Sequence, residues 1–191
     1  MLTLLFVLAC PSEPASQANV APAAKPKGRV DSVAAPPPKA VDTAAFCDAR
    51  GTGTFQWPEL DGVAPDSPSS WRWVNVWATW CKPCIAEMPM IREWATRLGK
   101  EGVSVAQQFL SVDATAPVLS TFMAAHKDFP TSPRLKTVAN LTPWLEGLGL
   151  DGTASLPLHL FVDAESRVSC VRMGALGESD YAAIKSVLQG K

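Results

Sequence analysis

The chain has 191 residues, of which 47% are hydrophobic and 18% are charged, with a formal net charge of -1. This length suits one domain of ordinary size plus an appendage, because two domains would each be too short to bury a proper core. The near-neutral charge argues against a basic surface, so nucleic acid is not an expected partner.

The N-terminus, residues 1–10, reads M-L-T-L-L-F-V-L-A-C. This apolar run is far shorter than the roughly 20 residues of a membrane-spanning helix. It has the apolar middle and small final residues of a signal peptide. Its end resembles the lipobox of bacterial lipoproteins, so we expect Cys10 to carry a lipid that anchors the protein. The alternative is that Cys10 belongs to a cleaved export peptide. Both interpretations place the protein in the periplasm or cell envelope.

Residues 11–45 are rich in Pro, Ala, Ser and Lys and nearly free of large apolar side chains. Such a segment buries too little surface to fold, and its prolines keep it extended at about 3 Å per residue. We therefore expect a disordered linker, followed by a single folded domain at 46–191.

The folded part opens with Trp71–Trp77, a run of aromatic and β-branched residues that is typical of a buried central strand. After Cys81, apolar residues recur at helical spacing as far as Gly99. This pattern predicts an amphipathic helix, which Pro89 should kink. A pair of cysteines therefore stands where a strand gives way to a helix.

Further along the chain, the same patterns predict a strand, two helices, a hairpin and a last helix. These elements are Val103–Val112, 117–126, a short helix with Thr142 as N-cap and Pro143 first, a hairpin of Leu158–Asp163 and Arg167–Met173, and 179–188. A strand–helix–strand unit gives parallel strands and a hairpin gives antiparallel ones. The order therefore predicts an α/β fold with a central mixed sheet flanked by helices.

Cys81 and Cys84 form a C-x-x-C pair at the predicted helix start. Disulfide exchange needs one ionised cysteine and a second thiol that expels the mixed disulfide. The unpaired N–H groups and positive dipole end of a helix stabilise a thiolate. We therefore expect Cys81 to be the nucleophile and Cys84 the resolving thiol. Lys82 adds a modest positive charge, and Pro83 suits the first helical turn.

A C-x-x-C pair can also bind a metal, attach haem or form a static disulfide. A zinc site is not expected, because the sequence contains no second C-x-x-C and no H-x-x-x-H to complete the ligand set. Covalent haem attachment is excluded because Ile85 occupies the position of the required His. Copper delivery remains open, since His159 or His126 could join two thiolates around a soft metal. A non-catalytic binding module with a static disulfide is the other alternative. The leading hypothesis needs no metal and no cofactor besides the Cys81–Cys84 disulfide.

The motif V-N-V-W-A-T-W-C-K-P-C at 74–84, followed by E-M-P at 87–89, resembles the exported thioredoxin-like thiol-disulfide oxidoreductases related to TlpA and ResA. Leu156-Pro157, just before a predicted strand, is similar to the cis-proline segment of that family. The resemblance covers roughly residues 47–191 and implies a thioredoxin-like fold and disulfide reductase activity. Leu158 and His159 depart from the family, which usually has small or hydroxyl residues after the proline.

The resemblance also implies functions for individual residues. A cis Pro157 would present a backbone edge opposite Cys81 to a client strand, whereas a trans proline would merely begin an edge strand. Trp80 would form an apolar docking surface, or else pack in the core. Asn75 stands where cytoplasmic thioredoxins carry a buried aspartate. Glu87 would instead relay the proton of Cys84, or else be a solvated carboxylate.

Partners implied by the family are protein substrates with thiols or disulfides, including apocytochromes, and a membrane thiol reductant of the DsbD or CcdA type. Two cysteines, Cys47 and Cys170, remain in the folded part. Because disulfides persist outside the cytoplasm, we expect these two to form a structural disulfide. Two unrelated buried thiols are the alternative.

Overall fold

The computed structural model describes residues 41–190. The predicted signal peptide with Cys10, and the linker up to residue 40, lie outside the described residues. The elements in chain order are α1 (Thr43–Phe46), β1 (Leu60–Asp61), β2 (Trp71–Trp77), α2 (Lys82–Lys100), β3 (Val105–Ser111), α3 (Ala116–Ala125), β4 (Arg134–Leu135), α4 (Leu141–Gly147), β5 (Leu158–Val162), β6 (Val168–Met173) and α5 (Tyr181–Leu188). None of the described helices combines the length and apolar character that crossing a bilayer requires.

The strands form one six-stranded sheet in the order β1-β4-β3-β2-β5-β6. β2 and β3 are paired in parallel, and the helix α2 connects them. On its other side, β2 pairs antiparallel with β5. β5 and β6 form the predicted antiparallel hairpin. This mixed sheet with flanking helices is a thioredoxin-like α/β fold, so the predicted fold class is confirmed.

The central strand β2 has the predicted bounds, Trp71–Trp77. Its residues from Trp73 to Trp77 are fully buried on both faces of the sheet. Both faces are covered because neighbouring helices pack on the sheet, which explains why apolar residues run almost without alternation through this strand. Asn75 is the one polar residue in this stretch, at 0% exposure.

Helix α2 begins directly after Cys81, which is its N-cap residue. Pro83 lies in the first turn, where a proline costs no hydrogen bond because the first backbone N–H groups of a helix have no partner within it. Pro89 lies inside the helix, which continues to Lys100. The buried side chains of α2 lie at helical spacing: Cys84, Glu87, Met88, Ile91, Trp94 and Leu98.

The prediction for α4 is wrong at its start. The helix begins at Leu141, after a 3-10 turn at Val138–Asn140, so Thr142 lies inside the helix and is not its cap. The Oγ1 of Thr142 instead donates to the carbonyl of Gly152 at 3.2 Å. The preceding turn already winds the chain in a helical sense, which makes a side-chain cap unnecessary at this position.

Three short elements, namely β1, β4 and α1, are not indicated by the hydrophobic periodicity of the sequence. Helix α1 begins at Thr43 and overlaps the last residues of the predicted linker, 11–45. Asp42 caps it by accepting the N–H groups of Ala44 and Ala45, and Phe46 is buried with 6% exposure. The folded domain therefore extends at least as far back as Asp42.

Candidate active site

Cys81 and Cys84 are joined by a disulfide at the N-terminus of α2. Cys84 is fully buried, and Cys81 is 4% exposed. The sulfur of Cys81 is bonded to the buried Cys84, and little of Cys81 is exposed to solvent. The backbone N–H of Cys84 donates to Cys81 Sγ at 3.3 Å. Lys82 and Pro83 are exposed beside the disulfide.

The segment before β5 faces the same end of the sheet. The Leu156–Pro157 peptide bond is cis. Val76 pairs with Leu158, so Pro157 lies next to the end of β2, which leads into Cys81. The carbonyl of Pro157 accepts the N–H of Gly174 at 2.8 Å. Within residues 41–190, neither backbone polar group of Leu156 has a hydrogen-bond partner, which leaves a short open edge.

Glu87 lies on α2 one turn beyond Cys84 and is only 4% exposed. Its Oε2 accepts the backbone N–H of Leu176 at 2.8 Å, and its Oε1 accepts Nδ2 of Asn75 at 3.2 Å. The Nε2 of His159 lies 3.3 Å from the same Oε1. The alternative of a solvated surface carboxylate is therefore wrong. Glu87 is a buried carboxylate surrounded by N–H groups.

His159 lies on β5 with no exposed surface, directly across from Asn75 in the sheet register. Its Nδ1 lies 3.2 Å from the indole Nε1 of Trp73 and 3.2 Å from Nδ2 of Asn75. An indole nitrogen can only donate, so Nδ1 must accept. In the neutral ring the proton then sits on Nε2, next to Glu87. That contact is close but not aligned as a hydrogen bond.

Two known oxidoreductases resemble this chain in sequence, although no protein-family model matches it. It is 27% identical over 95 residues to the thiol-disulfide oxidoreductase ResA of Bacillus thuringiensis (strain Al Hakam), covering 50% of each chain. It is 28% identical over 107 residues to ResA of Geobacillus thermodenitrificans, covering 56% of each chain. In sequence, the chain is similar to ResA over about half its length. It spans about half the length of the curated relatives it matches.

A solved structure that is similar to this chain is that of a thiol:disulfide interchange protein, a thioredoxin family protein, from Chlorobium tepidum. That crystal structure matches with a TM-score of 0.48 at 23% sequence identity, and covers 63% of this chain and 80% of that chain.

The domain contains a second disulfide, between Cys47 and Cys170. Cys47 follows α1 directly and Cys170 lies inside β6, so the bond ties the start of the domain to the last strand. Cys170 is fully buried. This pair therefore lies within the packed sheet and not at a helix end.

The two histidines proposed as copper ligands face other partners. His159 contacts Trp73, Asn75 and Glu87, and the ring of His126 stacks on Phe122 with centroids 3.9 Å apart. Within residues 41–190, no three His, Cys, Asp or Glu side chains gather as a metal site. The structure thus does not bring either histidine together with the cysteine pair.

Asp113 is a site residue that the sequence analysis missed. It is fully buried and accepts the N–H of Thr79 at 3.1 Å, the hydroxyl of Thr79 at 2.7 Å and the hydroxyl of Ser111 at 2.8 Å. These bonds hold the loop that carries Trp80 and Cys81. A signal was available, because Asp113 follows a predicted strand, and the carboxyl ends of parallel strands meet at one edge of a sheet.

Proposed function

We propose that the protein is a thiol-disulfide oxidoreductase that reduces disulfides in exported proteins, with Cys81 as the nucleophile and Cys84 as the resolving thiol. The observation that carries this proposal is the Cys81–Cys84 pair at the N-terminus of α2, where Cys81 Sγ accepts a backbone N–H from the first turn. When the disulfide is reduced, the same N–H and the positive end of the helix dipole stabilise a thiolate at Cys81.

The reaction proceeds in two exchanges. The Cys81 thiolate attacks one sulfur of a client disulfide, and the other client sulfur leaves as a thiolate. Cys84 then loses its proton and attacks the Cys81 sulfur, which releases the second client sulfur. The client gains two electrons, and the protein is left with the Cys81–Cys84 disulfide, which a membrane thiol reductant of the DsbD or CcdA type restores to thiols.

Glu87 is the group we propose as acceptor for the proton of Cys84. Both residues lie on the buried face of α2, one helical turn apart. Bulk water does not reach Cys84, which is fully buried, so its proton needs an internal acceptor. Asn75, whose side chain is hydrogen-bonded to Glu87, is neutral and does not take up a proton.

The surface around the disulfide supports docking of an extended client segment. The open backbone groups of Leu156 can pair with a client strand. Trp80 is 66% exposed, and Val118 on α3, which is 47% exposed, lines an open groove together with Thr79, Pro117 and Phe122. This arrangement favours the docking alternative for Trp80, and clients with apolar side chains near the cysteine.

The proposal includes a location outside the cytoplasm, in the periplasm or cell envelope. It is supported by the Cys47–Cys170 disulfide, since such bonds persist in oxidising compartments, and by the lipobox-like sequence ending at Cys10. Incorporation of labelled palmitate into the full chain, lost in Cys10→Ser, tests the lipid anchor. Reduced apocytochrome cysteines, which haem attachment requires, are the first client class to test.

Insulin reduction in the presence of dithiothreitol tests the activity itself. We expect turnover by the wild type and only the uncatalysed background with Cys81→Ser. A matched control is the Cys47→Ser, Cys170→Ser pair, which should still turn over while folded. No turnover by the wild type would overturn the proposal. Equilibration with glutathione gives the direction, because a reductase needs a potential below that of the glutathione couple.

A further inference from the structure

The strand β5 carries a buried histidine that the proposed reaction does not use. We propose that His159 is a positioning residue that fixes the Asn75 amide toward Glu87, so that the carboxylate is held in place to accept the proton of Cys84. This inference rests on the proposed function and deepens it. It starts from the arrangement of Trp73, Asn75, His159 and Glu87, all of which lie under the same end of the sheet.

The direction of each hydrogen in this cluster follows from one fixed donor. The indole nitrogen of Trp73 only donates, so His159 Nδ1 is an acceptor and Nε2 carries the proton of the neutral ring. The Nδ2 of Asn75 has two hydrogens, one for Nδ1 of His159 and one for Oε1 of Glu87. The amide is thereby fixed with its nitrogen toward both acceptors. Every group in the cluster presents a hydrogen to Glu87 or supports one that does.

Glu87 has no positive charge beside it among the residues that the structure describes. Its neighbours are the backbone N–H of Leu176, the amide of Asn75 and the Nε2–H of His159. Arg172 is the cross-strand partner of His159, but its guanidinium binds Asp48 at 3.1 Å. A buried carboxylate is stabilised in its charged form by N–H groups that point at it. Leu176 and Asn75 supply two such groups, and His159 fixes the second by accepting the other hydrogen of the Asn75 amide.

The chemical consequence concerns the second exchange. The S–H proton of Cys84 passes to the Glu87 carboxylate, and the Cys84 thiolate forms a bond to Cys81 Sγ as the bond from Cys81 to the client breaks. The electron pair leaves on the client sulfur. If Glu87 were already protonated, it could not accept this proton. By holding the Asn75 amide toward Glu87, His159 keeps the carboxylate in place for this step.

A two-phase reaction with Ellman's reagent separates the steps in the reduced protein. The first thionitrobenzoate leaves when Cys81 attacks, and the second when Cys84 resolves the mixed disulfide. In His159→Phe we expect the first phase to be unchanged. The second phase should be about tenfold slower, because Asn75 would lose the acceptor that holds its amide toward Glu87.

Three variants separate positioning from packing. His159→Gln keeps an oxygen that can accept from Trp73 and Asn75, so it should restore most of the rate of the second phase. Phe161→Leu alters a buried residue of the same strand, so it should lower stability and leave the second phase unchanged. In a Glu87→Gln background, His159→Phe should cause no further change in the second phase.

A measurement on the wild type needs no variant to fold. Nitrogen NMR of the histidine rings near pH 8 should find the proton of His159 on Nε2 and a bare Nδ1. The opposite tautomer would overturn the inference, as would a second phase at the wild-type rate in folded His159→Phe or a His159→Gln as slow as His159→Phe. If the wild type releases no thionitrobenzoate at all, the proposed function itself has failed, which is a different outcome.

Discussion

The two disulfides of this domain span the same distance but lie in different surroundings. In each, the Cα atoms are 5.3 Å apart. Cys47–Cys170 links residues separated by 123 positions and ties the start of the domain to β6. Cys81–Cys84 links residues separated by 3 positions at the tip of α2. The elements around a cysteine sulfur, and not the geometry of the disulfide itself, therefore determine whether the disulfide is suited to a structural or a chemical function.

The difference is electrostatic as well as topological. Cys81 Sγ receives an N–H from the first turn of α2, where the dipole favours a negative charge. Cys170 is in the interior of a strand whose backbone groups are paired with β5, and its cross-strand partner is the apolar Phe161. Apolar burial disfavours a thiolate. A reductant that opens both bonds would therefore leave one reactive sulfur and one inert thiol.

The largest predicted effect comes from removing the long-range disulfide. A loop of 123 residues contributes about 5 kcal/mol in the chain-entropy model, so Cys47→Ala with Cys170→Ala should lower the free energy of unfolding by about that amount. The short loop of Cys81→Ala with Cys84→Ala should cost only about 1 to 2 kcal/mol. Urea unfolding of the oxidised proteins, with an osmolyte added if needed, measures both.

Activity should divide in the opposite way. The folded Cys47→Ala, Cys170→Ala protein should retain rapid alkylation of Cys81 by iodoacetamide after mild reduction, whereas the other double variant has no nucleophile. Loss of this rapid labelling in a folded protein that lacks only Cys47 and Cys170 would contradict the separation of the two disulfides into structural and chemical bonds.

A smaller effect is expected from substitution of Asp113, which anchors only the loop before Cys81. In Asp113→Asn, the amide NH2 group would face donors from Thr79 and Ser111. Leaving such buried groups unpaired costs about 1 to 3 kcal/mol. We expect that loss in urea unfolding, together with a several-fold fall in insulin turnover as the loop before Cys81 loosens.

The matched control for this variant is Asp128→Asn, at an exposed carboxylate beyond α3. Surface changes of this kind alter stability by about 0.5 kcal/mol or less. If Asp113→Asn lowers stability and leaves both insulin turnover and the alkylation rate of Cys81 at the wild-type values, Asp113 supports the fold without positioning the active site.

Long elements of this fold were predictable because each repeats its pattern several times. Strand β2, helix α2 and the β5–β6 hairpin lie close to their predicted bounds. Strands β1 and β4 have only two residues each, which is too short for any periodicity, and they exist because they pair with one another at the edge of the sheet. Pairing across a sheet is a long-range fact that a local pattern does not contain.

The active site likewise contains some residues that were predictable from the sequence and others that were not. Cys81 and Cys84 belong to one short motif at a predicted helix start, so the sequence already indicated that they act together. The burial of Glu87 could not, because a glutamate on a helix is usually solvated. Its partner His159 lies on β5 and binds Trp73 across 86 positions of sequence. Only the register of β2 and β5 brings these side chains together.

The smallest predicted effect lies at the other end of α2 and affects only stability. Lys185 on α5 and then Arg97 on α2 lower the pKa of Glu101 from 4.5 to about 2. Because this pKa is lower in the folded state than in the unfolded chain, the carboxylate stabilises the fold above about pH 4.5, and this contribution is lost as the pH falls toward 2.

In Glu101→Gln, the free energy of unfolding should therefore depend less on pH across that window, in urea titrations at a series of pH values. Glu93→Gln, at an exposed carboxylate on the same helix, is the matched control and should keep the wild-type slope. Because Glu101 caps the end of α2 opposite Cys81, alkylation of Cys81 near neutral pH should not change. A changed alkylation rate would mean that the two ends of α2 are coupled, and that the nucleophile depends on more than the helix tip.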